Sequence, residues 1–312
     1  MARNRAALGI DLGGTNIKWG IVSENGRLLA EGIVPTEPRN GPEALLAKLS
    51  GIAKEAQRRA RSAELALAGV GIGTAGQVHR GSGAVKGATA ALPGWAGVPL
   101  GERIERETGL PVIVDNDVNM IALGEAWLGA GRHWSDFVCV ALGTGVGGCL
   151  IADRRVYAGR HGYAGEFGHM TVQLDGRECS CGGRGCWEAY ASVTALIRMA
   201  GEMQPDGSLD DPPTLFARAR EGDAAALELA DKYSSYVAAG LAGLIHIFNP
   251  PAIVLGGAIV AGQGDYLLER IKLSLKRRVM PAFQSPEPVA IVAADLGGHA
   301  GVIGSALAAL KR

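Results

Sequence analysis

The feature that most constrains this chain is a pattern that occurs twice. Ala6 to Ile10 is a short apolar run that ends at Asp11. Gly13-Gly14-Thr15 follows, and apolar residues resume as far as Val22. Ser23-Glu24-Asn25-Gly26 then supplies a hairpin turn of the Asn-Gly type. About 130 residues later Phe137 to Leu142 is again an apolar strand, running into Gly143-Thr144-Gly145-Val146-Gly147-Gly148. Cys149 to Ala152 resumes the strand, and Asp153-Arg154 turns it. Each copy reads strand, glycine-rich turn, strand, polar hairpin, as expected of a diverged tandem duplication. Backbone amides at such a turn can face phosphate oxygens, and an acid at its entry, Asp11, can hold magnesium directly or through water. An ordinary β-turn with a solvent-facing aspartate fits the first copy equally well. The second copy is formally G-x-G-x-x-G. A dinucleotide fingerprint must open a helix, whereas this one opens a hairpin, so that reading fails on context.

Between the copies, Leu65 to Ile72 reads as a buried strand ending in Gly73-Thr74-Ala75-Gly76, and Pro111 to Val114 as another. The second ends in Asp115-Asn116-Asp117-Val118-Asn119, after which Met120 to Leu128 is helical. A polar cluster at a strand's carboxyl end, opening a helix, is the usual place for an α/β active site. One of these residues serves as an ordinary N-cap. Two acids and two asparagines exceed what capping needs.

The stretch from Gly162 to Glu188 carries a second concentration of chemistry. Cys179, Cys181 and Cys186 fall within eight residues, and His169 stands upstream of them. One imidazole and three thiolates form a structural zinc complement with no open position for chemistry. Glycines at 182, 183 and 185 let the backbone wrap tightly around a metal. The alternative is a disulfide, but a Cys-x-Cys bridge is strained and five cysteines cannot all pair. The same loop carries Glu166 and Glu188, so a metal brace would present two acids rigidly to a polyhydroxylated ligand.

The remaining elements are simpler. Helices are expected over Glu43–Ala60, Gly101–Gly109 with its closing glycine, Ala189–Met203, and Thr214–Phe248 with an interruption near Gly222. Asn249-Pro250-Pro251 stops the last of these. A strand over Ile253–Leu255, a helix over Tyr266–Val279, a strand over Val289–Ala293 and a helix over Gly301–Lys311 complete the chain. Leu92-Pro93-Gly94-Trp95 is expected to be a turn with an exposed aromatic. Length and composition suit two domains: 312 residues, 47% of them apolar. Lys plus Arg and Asp plus Glu are balanced at 31 each, which argues against nucleic acid or an acidic membrane surface as the main partner. The start, Met1-Ala2-Arg3-Asn4-Arg5, is basic, but the apolar run behind it is too short for a secretory signal. The most membrane-like stretch, Leu241–Gly262, is broken by His246, Asn249, Pro250 and Pro251. A cytoplasmic, reducing setting fits the free thiols.

Glu166-Phe167-Gly168-His169, followed by Cys-x-Cys-Gly-x-x-Gly-Cys-x-Glu ending at Glu188, resembles the signature of the ROK family (repressors, open reading frames, sugar kinases). The resemblance extends over both glycine turns, the Asn116-Asp117 strand end and Gly256-Gly257. It implies an α/β chain of actin-like, hexokinase-like ATPase fold, with two similar α/β domains around a cleft. A small N-terminal domain would span residues 1–118 with the closing helix 301–312 returning to it, and a larger one residues 119–300. The implied activity is ATP-dependent phosphorylation of a hexose with magnesium, most like a glucokinase making glucose 6-phosphate, with Asp117 as base. Asp11, Gly13, Gly14, Thr15, Asn16, Lys18, Gly143, Thr144, Gly145, Gly256 and Gly257 would line the nucleotide. Gly76, Gln77, Thr89, Asn116, Asp117, Glu166, His169 and Glu188 would contact the sugar, and His169, Cys179, Cys181 and Cys186 would hold structural zinc. Many glucose-type members carry Asn-Leu before Gly-Trp where this chain has Ala91-Leu92, so mannose, allose and N-acetylhexosamines stay open as substrates. The ROK repressors carry a helix-turn-helix of several dozen residues ahead of the first glycine turn. Asp11 comes after ten residues, which leaves no room for one, and a non-catalytic sugar sensor is the remaining alternative of another class. Family habit implies a homodimer or homotetramer.

Overall fold

In the computed structural model, residues 5–87 and 89–312 are described; Met1–Asn4, the basic start noted above, lie outside them. The chain begins β1 (Arg5–Leu12), β2 (Asn16–Ser23), β3 (Leu28–Pro35), α1 (Pro42–Ser62), β4 (Ala66–Thr74), β5 (Val78–His79) and β6 (Ala84–Val85). It continues α2 (Leu100–Thr108), β7 (Val112–Asn116), α3 (Asp117–Trp127), β8 (Phe137–Leu142), β9 (Val146–Ala152) and β10 (Arg155–Val156). Next come α4 (Glu188–Ala191), α5 (Val193–Met203), α6 (Pro212–Arg220) and α7 (Ala224–Phe248). The last elements are β11 (Ala252–Gly256), α8 (Ala258–Leu275), β12 (Ala290–Ala293) and α9 (Ala300–Leu310).

Two compact units result. One comprises residues 1–133, 155–164 and 298–312; the other comprises 134–154 and 165–297. The first unit's sheet has the order β3-β2-β1-β4-β7. Its β1 pairs antiparallel with β2 and parallel with β4, and β4 runs parallel to β7. The second unit orders β9-β8-β11-β12, with β8 antiparallel to β9 and parallel to β11, and β11 parallel to β12. The duplicated pattern is therefore a duplicated topology. In each unit the first strand and its antiparallel partner are joined by a glycine turn, and the parallel strands follow on the other side. The expected α/β fold with two similar halves is present.

In the first unit, which runs unbroken to His133, α3 is bound to α9 at backbone distance. A Cβ on Gly304 would stand 1.7 Å from the Met120 carbonyl oxygen, and one on Gly124 would stand 2.3 Å from that of Ala300. The same helix lies against the sheet: a Cβ on Gly9 would meet the Val302 carbonyl oxygen at 1.9 Å, and one on Gly71 that of Ser305 at 1.8 Å. The buried Ser305 hydroxyl donates to the Ile10 carbonyl at 3.1 Å. The other face of the sheet packs Ile10, Leu12, Ile72 and Val114 with Leu45, Leu46, Leu49 and Ile52 of α1. Burial on both faces explains why β1 reads as a continuous apolar run rather than an alternating one.

The second unit is built around α7. Trp187 is fully buried against it and donates its indole N–H to the Tyr236 carbonyl at 2.8 Å. Gly240 makes room for that ring, since a Cβ there would lie 2.1 Å from Trp187 Cε2. The Tyr233 hydroxyl, also buried, donates to the Ala191 carbonyl at 2.8 Å. The segment carrying the cysteines is thus anchored in a core directly beyond Cys186. Among the described residues, no helix is long and apolar enough to cross a membrane.

Three local expectations need correction. Trp95 is fully buried, not exposed: its indole N–H donates to the Thr74 hydroxyl at 3.0 Å. The helix expected over 189–203 breaks at Ser192, whose hydroxyl caps α5 by accepting the Ala195 N–H at 3.0 Å. The helix expected from Tyr266 begins at Ala258 and ends at Leu275, with a non-helical kink at Gly264.

Candidate functional site

In the first unit, the parallel register aligns Asp11 with Gly73 and Gly73 with Asp115. The strands β1, β4 and β7 therefore end at one sheet edge. That edge carries the first glycine turn, Gly76 and the start of α3. The turn is fixed from within by the Gly13 N–H on the Asn16 carbonyl at 3.1 Å. It is fixed from outside by Thr36, whose hydroxyl donates to the Gly13 carbonyl at 2.7 Å and whose N–H donates to the Thr15 carbonyl at 2.9 Å. Thr36 is buried and was not singled out in the sequence, because its role depends on a strand pairing. Ala91 closes over the turn: a Cβ on Gly14 would lie 2.8 Å from that of Ala91. Lys18 sends its ammonium to the Gly298 carbonyl at 3.3 Å.

Asp11 sits against Gly301, where a Cβ would stand 2.8 Å from the carboxyl carbon. Burial pushes its carboxyl above the ordinary 3.8, and Lys18 pulls it back in part. An acid raised in the folded state binds its proton more tightly there than in the unfolded chain. Its ionisation therefore weakens the fold as pH climbs past 3.8. Asp11→Asn is accordingly expected to raise the melting temperature of the unliganded protein at pH 7. The gain should vanish below pH 3.8, as a pair of thermal scans will show.

At the β7–α3 junction, Asn116 is the cap. Its Oδ1 accepts the Val118 N–H at 2.9 Å and the Asn119 N–H at 3.3 Å, while its Nδ2 donates to the Gly76 carbonyl at 3.2 Å. The expected sugar contact Asn116 is thus already engaged with its own helix and with Gly76. Asp117 opens the helix and its Oδ1 accepts the Val118 N–H at 3.0 Å. Gln77 packs its side chain over Gly87, where a Cβ would lie 1.9 Å from the amide oxygen. Thr89 is exposed in a turn closed by the Leu92 N–H on its carbonyl at 3.0 Å.

In the second unit, the turn Gly143-Thr144-Gly145 is seated on α5. The Val193 N–H donates to the Gly143 carbonyl at 2.8 Å and the Thr194 hydroxyl to the Thr144 carbonyl at 2.9 Å. Gly256-Gly257 ends β11 beside this turn, and the positive φ of 96° at Gly257 allows a contact that a side chain would block. A Cβ there would be 2.1 Å from the Leu142 carbonyl oxygen. The Phe167–His169 turn lies on β9 at backbone distance, since a Cβ on Gly168 would meet the Val146 carbonyl oxygen at 2.1 Å.

His169, Cys179, Cys181 and Cys186 come together as the spacing predicts. Their donor atoms all lie within 4.8 Å of one another. None of the five cysteines is in a disulfide. The loop closes through the Cys179 N–H on the Gly183 carbonyl at 2.9 Å and the Gly182 N–H on the Cys179 carbonyl at 3.0 Å, with positive φ at Gly182 and Gly185. The Gly183 backbone lowers the Cys181 thiol, while burial pushes that of Cys186 up to about 12. This donor set and its crowding are compatible with a tetrahedral zinc, which would displace those protons on binding. The histidine divides its two nitrogens. Nδ1 faces Cys179 Sγ at 3.6 Å and Nε2 faces the Glu166 carboxylate at 3.8 Å. Glu188 links the loop to the glycine turn: its Oε2 accepts the Val146 N–H at 3.0 Å and its Oε1 the Ser180 hydroxyl at 3.3 Å.

Comparison with known proteins gives a consistent result. The model of the ROK family matches residues 7–312. A glucokinase of Streptomyces coelicolor is 36% identical over 96% of this chain and 96% of its own. A ROK family glucokinase from Streptomyces griseus, solved in complex with glucose and AMPPNP, superposes with a TM-score of 0.83 at 35% identity, covering 98% of this chain and all of its own. A ROK hexokinase from Thermus thermophilus gives 0.84 at 33%, covering 98% of each chain.

Proposed function

Because this chain belongs to the ROK family, we propose that it is an ATP-dependent glucokinase, transferring the γ-phosphoryl group to glucose to give glucose 6-phosphate. One observation carries the mechanism. A carboxylate at the first position of α3, Asp117, shares a sheet edge with the glycine turn after β1. In that role Asp117 accepts the proton of the sugar hydroxyl as its oxygen attacks the γ-phosphorus. The rest of the rate comes from positioning and from charge neutralisation. Asp11 would hold magnesium, directly or through water, and the ion bound with ATP would supply part of that neutralisation. The assignment to the nucleotide covers Gly13, Gly14, Thr15, Asn16, Lys18, Gly143, Thr144, Gly145, Gly256 and Gly257. The assignment to sugar hydroxyls covers Gly76, Gln77, Thr89 and Asn116 of the first unit, and Glu166, His169 and Glu188 of the second.

Zinc at His169, Cys179, Cys181 and Cys186 has a bracing role in this reading. His169 would hold the metal through the nitrogen that faces Cys179, Nδ1, and would then present Nε2 in one orientation beside Glu166. Replacing Cys181 with Ala is expected to release the metal and to raise the KM for sugar about tenfold or more. Elemental analysis and steady-state kinetics check this together. Native protein without zinc rules out the brace.

The function is tested by coupled ADP release with Mg-ATP, comparing glucose with mannose, N-acetylglucosamine, N-acetylmannosamine, allose and fructose. Selective turnover of glucose is expected. Turnover of an N-acetylhexosamine alone moves the substrate. Sugar binding with no turnover of any sugar points to a sensor.

A further inference from the structure

We propose that Arg80, Asp115 and Asn119 form a positioning network that sets the carboxylate of Asp117; the inference rests on Asp117 being the base. Asp115 is 1% exposed, yet its carboxylate has three donors. Arg80 Nε donates to Oδ2 at 2.8 Å, and the Asn116 N–H and Asn119 Nδ2 each donate to Oδ1 at 2.8 Å. A buried carboxylate costs desolvation that one ion pair only partly offsets. Capping does not call for it, since Asn116 already caps α3. What the carboxylate does is hold residues 116 and 119 on either side of 117.

The consequence for Asp117 lies in one shared donor. The Val118 N–H is divided between Asn116 Oδ1 at 2.9 Å and Asp117 Oδ1 at 3.0 Å. If Asn116 loosens, that N–H goes to Asp117 alone and draws its carboxylate toward the backbone. Asn119 has a single orientation that serves the network. Its Nδ2 faces Asp115 and its Oδ1 is buried without a partner among the described residues, an arrangement that the bond to Asp115 offsets. Gly162 lies close beside Arg80, since a Cβ there would be 3.2 Å from Arg80 Cγ.

The test uses the full chain with Arg80→Ala, Arg80→Lys and Asp115→Asn, each alone and combined with Asp117→Asn. Two quantities are read: kcat with Mg-ATP, and sugar affinity with its stoichiometry in the absence of nucleotide. Arg80→Ala and Asp115→Asn are expected to lower kcat about tenfold while stoichiometry holds and affinity, which Asn116 shares in, falls less than kcat. Arg80→Lys should recover most of the loss. In the Asp117→Asn background the loss should disappear, because the group being positioned is gone. An equal fractional loss in that background overturns the inference. So does an unchanged kcat, or a fall in binding stoichiometry that matches the fall in kcat. Should Asp115→Asn fail to fold, the Arg80 pair still decides. If Asp117→Asn itself turns over normally, the base assignment falls. If it is inactive while the Arg80 and Asp115 variants are normal, only the network falls.

Discussion

Asp117→Asn is expected to lower turnover by roughly 10²–10⁴-fold, the range that general-base removal costs. The substitution isolates the proton-accepting role unusually well at this position. Asparagine has the same length, and its carbonyl oxygen can still accept the Val118 N–H that Asp117 Oδ1 takes at 3.0 Å. The helix cap is not disturbed, because Asn116 supplies it. The change removes the negative charge from the first turn of α3, so stability should fall by about 0.3–1 kcal/mol. Sugar affinity without nucleotide should hold. Three outcomes are separable in one set of titrations and kinetics. A fall in kcat with intact binding assigns Asp117 as base. A parallel loss of binding makes it a ligand. Unchanged turnover moves the base elsewhere.

Much of the fold could be read from the chain because its strongest signals were repeated. Two glycine turns, each between apolar runs and each followed by a polar hairpin, fixed the direction of the strands around them. Asn116-Asp117 and the Cys3His set were equally plain, since each concentrates residue types that a loop has no other use for. Trp95 and Arg80 were missed for one reason: the deciding partner was distant in sequence. Trp95 looked like a surface aromatic on a Pro-Gly turn, but its hydrogen-bond partner is Thr74 on β4. The start of α8 was hidden by Gly262 and Gly264. Gly264 does break the helical backbone, and the turns before it are held by the burial of Ile259 and Val260 in the second unit's core. Nothing in the sequence paired Arg80 with Asp115, which lie 35 residues apart and meet only once β4 and β7 are aligned. The break at Ser192 was legible in principle, since a serine opening an apolar helical run is an ordinary cap signal.

The largest effect on stability is expected at a residue that no site motif contains. A Cβ on Gly304 would stand 1.7 Å from the Met120 carbonyl oxygen and 2.7 Å from the Gly124 nitrogen. Both are backbone atoms of α3, so no side chain can turn aside to make room. Gly304→Ala must push α3 and α9 apart, and α9 is also wedged against β1 and β4 through Gly9 and Gly71. The expected loss is about 3 kcal/mol or more, at or above the upper end for overpacking. A matched control exists on α7, where a Cβ on Gly243 meets nothing within 4 Å. There Gly243→Ala is expected to stabilise by roughly 0.5–1 kcal/mol, the ordinary helix-propensity gain. Denaturant melts of the two variants beside the parent protein distinguish close backbone packing from a generic intolerance of glycine replacement. Because α3 begins with Asp117, an α3 displaced by Gly304→Ala should also lose turnover in whatever fraction remains folded. If Gly304→Ala melts with the parent, the backbone contact between α3 and α9 is not as close as described. The reason for placing α3 in the first unit would then go with it.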